Sequence, residues 1–258
     1  MMDTKRFEGK VVVITGASAG LGKASAIASA KEGANLAICA RRKEKLEAVA
    51  RECEAEGAEV LCCICDVMVQ DQLHHFADEI QARFGRVDVL INNAILEDAM
   101  IPFEAQKMES LDKAVQSGLY ATWILMQRCY PMMKEHGGSI INLGTRAAQG
   151  LEGFSSYGAA KAGVMSLSMT AAHEWGKDNI RVNTIVPLFL SENLRDSKDP
   201  VRMKLREVVE TQTAQATALK RVGYVEDIVP VVLFMASDDS RWITGQHIHV
   251  EGGADIHW

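Results

Sequence analysis

At 258 residues the chain is close to the upper size for one hydrophobic core, and an undivided α/β domain is ordinary at this length, so a single domain is expected over 1–258. Hydrophobic residues make up 48% of the sequence and charged residues 24%, which excludes a disordered or fibrous chain. A net charge of −6 with no basic stripe argues against nucleic acid or an anionic membrane as the partner.

The apolar run at 11–14 stops at Thr15-Gly16 and is followed by an alanine-rich stretch at 21–31, which predicts strand, turn and helix. A second strand is expected at 36–39, a charged helix at 43–56 with Leu46 and Val49 inward, and a third strand at 59–65 ending at Asp66. The alternation continues with a helix at 72–84, a strand at 87–91, one long helix at 111–134, a strand at 139–143, a helix at 156–175 and a strand at 180–186 ending at Pro187. Residues 188–220 are more polar and irregular and read as a mobile, partly helical substrate flap, after which a strand at 246–250 closes the sheet. Strands alternating with helices of this length imply a doubly wound, Rossmann-type three-layer α/β/α sandwich around a parallel sheet. No stretch approaches the about 20 apolar residues of a membrane span, and 11–14 is too short for a signal-peptide core, so a cytoplasmic protein is expected.

Cys62, Cys63 and Cys65 match no paired zinc or redox spacing and are expected as buried thiols in a strand. Histidines 74, 75, 247, 249 and 257 form no ligand set, so no metal is expected.

Thr15-Gly-Ala-Ser-Ala-Gly-Leu-Gly22 puts glycines at 16, 20 and 22 between the first strand and its helix. There the helix N-terminus offers unpaired N–H groups and a partial positive charge to a pyrophosphate. The spacing differs from the commonest dinucleotide fingerprint, and alone it also fits a tight turn with close helix packing. At the end of the second strand an acidic residue would favour NAD(H); Arg41 and Arg42 stand there instead and suit a 2′-phosphate, favouring NADP(H). Tyr157 and Lys161 are four apart on one helix face. A tyrosine, with a pKa near about 10 in water, becomes a useful acid or base when an ammonium favours its phenolate.

These motifs, with Asp66-Val67, Asn92-Asn-Ala94, Asn179-Ile-Arg-Val-Asn183, Thr244-Gly-Gln246 and Glu251-Gly-Gly253, make the chain resemble the single-domain short-chain dehydrogenases/reductases from Gly9 to Gly253. The resemblance implies a seven-stranded parallel sheet, a homotetramer in which the helices at 111–134 and 156–175 pair with neighbouring copies, and Tyr157, Lys161 and Thr145 as catalytic residues. It also implies a cofactor site of Gly16, Ser18, Ala19, Gly20, Leu21, Gly22, Arg41, Arg42, Asp66, Val67, Asn93, Tyr157, Lys161, Pro187 and Leu190. Tyr157 would exchange a proton with the substrate oxygen while hydride moves to or from the nicotinamide.

Three departures stand out. Thr145 replaces the usual serine, keeping the hydroxyl on a stiffer side chain. Gly118 replaces the helix asparagine that supports a water beside the lysine, so either the Gly118 backbone with a second water or Ser117 takes its place, or proton exchange is slower. Ile95 and Leu188 replace glycines and point to an apolar pocket. Ser117-Gly-Leu-Tyr-Ala-Thr122 and Glu174-Trp-Gly-Lys-Asp-Asn-Ile180 resemble a bacterial subgroup that includes bile-acid hydroxysteroid dehydrogenases, implying a small-molecule substrate that is a flat, bulky, apolar secondary alcohol or its ketone. Arg146 is then either a contact for a substrate carboxylate or an exposed loop arginine. The alternative function is a catalytically impaired cofactor-binding or sensing protein on the same fold.

Overall fold

The computed structural model describes residues 5–96 and 100–255. Short runs of aliphatic residues without polar alternation form strands covered on both faces. They are β1 (Val11–Thr15), β2 (Asn35–Ala40), β3 (Val60–Ile64), β4 (Val89–Asn92), β5 (Gly138–Leu143), β6 (Ile180–Pro187) and β7 (His247–Val250). All pair in parallel, in the order β3-β2-β1-β4-β5-β6-β7.

The helices are α1 (Gly20–Lys31), α2 (Lys43–Ala55), α3 (Gln70–Arg83), α4 (Met108–Ala114), α5 (Ala121–Met133), α6 (Ser155–Trp175), α7 (Glu192–Arg195), α8 (Pro200–Ala216) and α9 (Val225–Ala236). Because side chains alternate across a strand, the sheet carries two cores. Val12, Ile14, Leu36 and Ile38 meet Leu46 and Val49 of α2 and Ile228 and Val232 of α9. Val13, Ala37, Leu90 and Ile140 meet Leu73 and Phe76 of α3 and Leu125 and Cys129 of α5.

Several matched motifs serve this frame. Asn183 Nδ2 donates to the Ile243 carbonyl at 2.8 Å and its Oδ1 accepts from Gln246 N–H at 3.0 Å, while Thr244 Oγ1 accepts from Val182 N–H at 3.1 Å. Asn183 and Thr244 thereby stitch β7 to β6 by side chains as well as by the ladder. Arg181 is buried and donates to the carbonyls of Met235, Ser237 and Ile243; burial lowers its pKa from the usual arginine range.

Three expectations change. The helix expected at 111–134 is broken by a π-helical segment, Val115–Tyr120, between α4 and α5. The stretch 188–220 is more regular than its polarity suggested, since it contains α7 and the 17-residue α8. Cys62 and Cys63 are only partly buried, and Cys65 is buried just beyond the strand. Burial pushes the Cys63 thiol up to about 11, and Cys53 and Cys129 up to about 12, so these thiols stay protonated near neutrality. His247 and His249 sit half-buried on the edge strand β7, His74 and His75 are exposed on α3, and His257 lies outside the described residues. Among the described residues no helix is long and apolar enough to cross a membrane, and no group of three or more His, Cys, Asp or Glu could hold a metal.

Candidate active site

The turn between β1 and α1 is built by close approach. A Cβ on Gly16 (φ +69°) would lie 2.9 Å from Asn93 Nδ2 and 3.1 Å from Ala94 Cα, and one on Gly22 would lie 2.6 Å from the Gly16 carbonyl oxygen. Gly20 (φ +57°) differs: nothing lies within 4 Å of the position its Cβ would take. Gly16 and Gly22 therefore let the turn pack on itself, and Gly20 leaves the open side that a phosphate requires. Thr15 Oγ1 accepts from the N–H groups of Asn93 and Ala94 at 3.0 Å each, and Asn93 Nδ2 donates to the Thr15 carbonyl at 2.9 Å. Ala19, which precedes α1, supplies no side-chain cap, and Leu21 is buried beneath the turn. Gly20 N–H donates instead to Glu192 Oε2 at 3.1 Å, a carboxylate from α7.

A cleft of 360 Å³ opens beside this turn, where the strand order reverses between β1 and β4. It brings together Gly16, Ser18, Arg41, Arg42, Val67 and Asn93. Arg42 Nε and Nη2 donate to Ser18 Oγ at 3.2 and 3.0 Å, which fixes the guanidinium at the cleft's edge. Arg41 Nη1 lies 4.0 Å from Asp66 Oδ2, and the other oxygen of Asp66 accepts from Met68 N–H at 3.0 Å. Pro187 ends β6; Leu190 is buried and its N–H donates to the Gly223 carbonyl at 2.9 Å. Neither is among the residues lining this cleft.

Tyr157 and Lys161 share a face of α6. The Lys161 side chain is only 3% exposed, and its Nζ donates to the Leu143 carbonyl at the end of β5. A buried ammonium needs such an acceptor, and this one holds it 6.0 Å from the centroid of the half-buried Tyr157 ring. α6 is tied to the sheet by a buried polar chain: Asn92 Nδ2 donates to Asn142 Oδ1, Asn142 Nδ2 to Ser168 Oγ, both at 2.8 Å, and Ser168 Oγ to the Val164 carbonyl at 2.7 Å. Each such bond contributes about 1 kcal/mol and, more to the point, specifies one seating of the helix.

Thr145 follows β5 and opens the 3-10 turn Arg146–Gln149, its Oγ1 accepting from Ala147 N–H at 3.2 Å. That bond orients the hydroxyl and leaves its proton to donate elsewhere. Two glycines absent from the sequence reading make this possible. A Cβ on Gly158 would collide with the Ala147 carbonyl, so α6 closes onto the Thr145 turn directly after Tyr157; a Cβ on Gly144 would lie 2.6 Å from Thr184 Cγ2. A glycine inside a helix costs about 1 kcal/mol relative to alanine, so Gly158 next to Tyr157 was a readable sign of forced contact.

Ile95 and Gly118 prove to be a single packing unit. A Cβ on Gly118 would lie 2.9 Å from Ile95 Cδ1, so Ile95 fills the space that a side chain at 118 would need. Ser117 is already engaged: its Oγ accepts from Leu96 N–H at 2.9 Å and donates to the Lys113 carbonyl at 2.7 Å, so it does not take over a water beside Lys161. Gly118→Asn alone is expected to destabilise by about 1–3 kcal/mol through overpacking, and Ile95→Ala in the same chain to restore most of the loss. Thermal denaturation of the two variants checks this, and equal Tm values would contradict it. Arg146 is half-buried rather than exposed, its Nε 3.6 Å from Glu251 and 3.7 Å from Asp255.

A family model described as enoyl-(acyl carrier protein) reductase matches residues 16–255. The chain is 39% identical over 256 residues to the 12alpha-hydroxysteroid dehydrogenase of a Clostridium species, covering 96% of this chain and 97% of that one. It is 35% identical over 254 residues to the 3-oxoacyl-(acyl-carrier-protein) reductase FabG of Thermotoga maritima, covering 97% and 100%. A solved 7 alpha-hydroxysteroid dehydrogenase, complexed with NADH and 7-oxo glycochenodeoxycholic acid, superimposes with a TM-score of 0.87 at 30% identity, covering 100% of this chain and 99% of that one. The chain belongs to the short-chain dehydrogenase/reductase family of oxidoreductases, with hydroxysteroid dehydrogenases among its relatives.

Proposed function

We propose that the protein is an NADP(H)-dependent oxidoreductase that interconverts a secondary alcohol and its ketone, with a hydroxysteroid as the substrate class. The observation that carries this reading is the buried Lys161 held beside Tyr157 on α6, with the Thr145 turn packed against the same helix. The residues present fit a dinucleotide: the open space at Gly20 suits a diphosphate, and the cleft beside it ends in two arginines. When bound, the nicotinamide supplies or accepts hydride. Tyr157 passes a proton through its phenolic oxygen to or from the substrate oxygen, and Lys161 favours the phenolate by its charge. Thr145 donates its hydroxyl proton to that same oxygen as charge builds on it.

The substrate class draws support from an apolar hollow of 490 Å³ lined by Met100, Pro102, Leu151 and Phe154. The Phe154 ring lies 6.3 Å from that of Tyr157, and the two loops are joined by Ile101 N–H donating to the Gly153 carbonyl at 3.1 Å. Following NADPH absorbance against keto-bile acids, simple ketones and a 3-oxoacyl thioester tests the reading. Turnover of the keto-bile acids is expected; turnover of the thioester alone would move the assignment to acyl reduction.

NADP(H) preference rests on Arg41 and on Arg42 braced by Ser18. Arg41→Asp should shift the NADPH/NADH ratio of kcat/KM toward NADH by about 10–100-fold, the worth of a charge-assisted contact. An unchanged ratio would put the phosphate elsewhere. Tyr120 and Trp123, exposed at 46% and 49%, and Met169, exposed at 41%, lie on the helical region and α6 where a homotetramer would pair, which light scattering checks.

A further inference from the structure

We propose that Glu192 is an internal occupant of the diphosphate cradle and sets the protein's affinity for its nucleotide. The inference rests on the dinucleotide reading above. The N-terminus of α1 lacks a side-chain cap of its own, and its first amide, Gly20 N–H, donates to Glu192 Oε2 at 3.1 Å across 172 residues of chain. The carboxylate holds the amide of the turn from the N–H side, while the Cβ side of Gly20 stays open, with nothing within 4 Å.

The reach of Glu192 is set by its surroundings. Two residues earlier, Leu190 N–H is fixed to the Gly223 carbonyl at 2.9 Å, and Leu188 N–H to the Val250 carbonyl at 3.0 Å. On the far side, Arg195 lies 3.5 Å from Glu226, and Arg206 Nη1 donates to the Arg195 carbonyl at 2.7 Å, joining α7 to α8. A hollow of 470 Å³ between α7 and the paired helices α1 and α2 is lined by Ser18, Lys23, Lys45 and Glu192. Lys45 adds positive charge there, while Lys23 is paired with Glu52 at 2.8 Å and Asp196 lines the same hollow, so the N-terminus of α1 is what favours an anion at this end.

One amide proton cannot serve a carboxylate and a diphosphate together, and two anions at that distance repel. A nucleotide therefore binds only as Glu192 leaves, and the carboxylate's departure moves α7. Affinity for the nucleotide is lowered by the free energy of the contact, and α7 changes position when the nucleotide arrives.

The test measures the dissociation constants of NADPH and NADH by nucleotide fluorescence, on the intact protein and on Glu192→Ala, Glu192→Gln and Glu192→Asp. Glu207→Gln, at an exposed position of α8, controls for the charge of the flap. Glu192→Ala is expected to bind both nucleotides about tenfold tighter, since a charge-assisted bond at a helix N-terminus is of that size and the diphosphate is common to both. Glu192→Gln, which keeps an acceptor without the charge, should gain less, and Glu192→Asp, one methylene too short, should gain as well. Unchanged or weaker binding by Glu192→Ala and Glu192→Asp overturns the proposal, as does an equal gain in Glu207→Gln. Failure of the unaltered protein to bind either nucleotide would instead overturn the dinucleotide reading itself.

Discussion

Replacement of Tyr157 by phenylalanine is expected to lower kcat by about 10³-fold while leaving the dissociation constant of NADPH within a few-fold of its starting value. The substitution removes only the phenolic oxygen. The ring keeps its place on α6 beside Phe154, and Lys161 keeps its acceptor at the Leu143 carbonyl. What is lost is the proton donor or acceptor at the substrate oxygen, and Thr145 cannot replace it, because its hydroxyl proton is only lent in a hydrogen bond. Turnover within tenfold of the unaltered protein would remove Tyr157 from the chemistry and favour a different proton source. Complete loss of nucleotide binding would show instead that the ring supports the cleft.

The second large effect is expected from Gly22→Ala. The added methyl would lie 2.6 Å from both the Gly16 carbonyl oxygen and Asn93 Nδ2, and the first of these is backbone that cannot swing away. α1 must lift from the turn, at an expected cost of about 1–3 kcal/mol in stability. The amides at its N-terminus lose their aim, so NADPH affinity should fall by at least about tenfold. Alanine is the better helix former by about 1 kcal/mol, so the observed loss is the net of the two effects. A variant more stable than the parent, with intact NADPH binding, would show that the turn is not closed as described. Thermal denaturation and nucleotide titration on one preparation decide it.

The alternation of strands and helices was readable because the inner strands β1, β2 and β4 are short, largely aliphatic runs and several connections carry glycine, both local signals. That Tyr157, Lys161 and the turn at Thr145 come together was readable through their order along the chain rather than through any single spacing; their chemical roles are those proposed above. The π segment at Val115–Tyr120 was not readable, since nothing in Val-Gln-Ser-Gly-Leu-Tyr tells a π turn from an α turn; there Ile95 packs over Gly118 and Ser117 bonds Leu96. α8 was hidden by its polarity: a helix packed on one side beside the flap shows a weak apolar stripe. Glu192 and Gly20, 172 residues apart, had no shared local pattern. Asn92 and Asn93 were read as one motif, yet the first joins the buried chain through Asn142 while the second braces the Gly16 turn.

The bridge from Thr15 Oγ1 to the amides of Asn93 and Ala94 lies along a seam in the sheet. On the β1 side stand the turn, Ser18 and the arginines; on the β5 side stand Thr145, Tyr157, Lys161 and the apolar hollow. On the function proposed above, nucleotide choice belongs to the segment before this seam and substrate choice to the longer segment after it. A chimera joined just after Ala94, with the remainder from a relative of different substrate preference, is then expected to exchange the substrate while keeping the nucleotide.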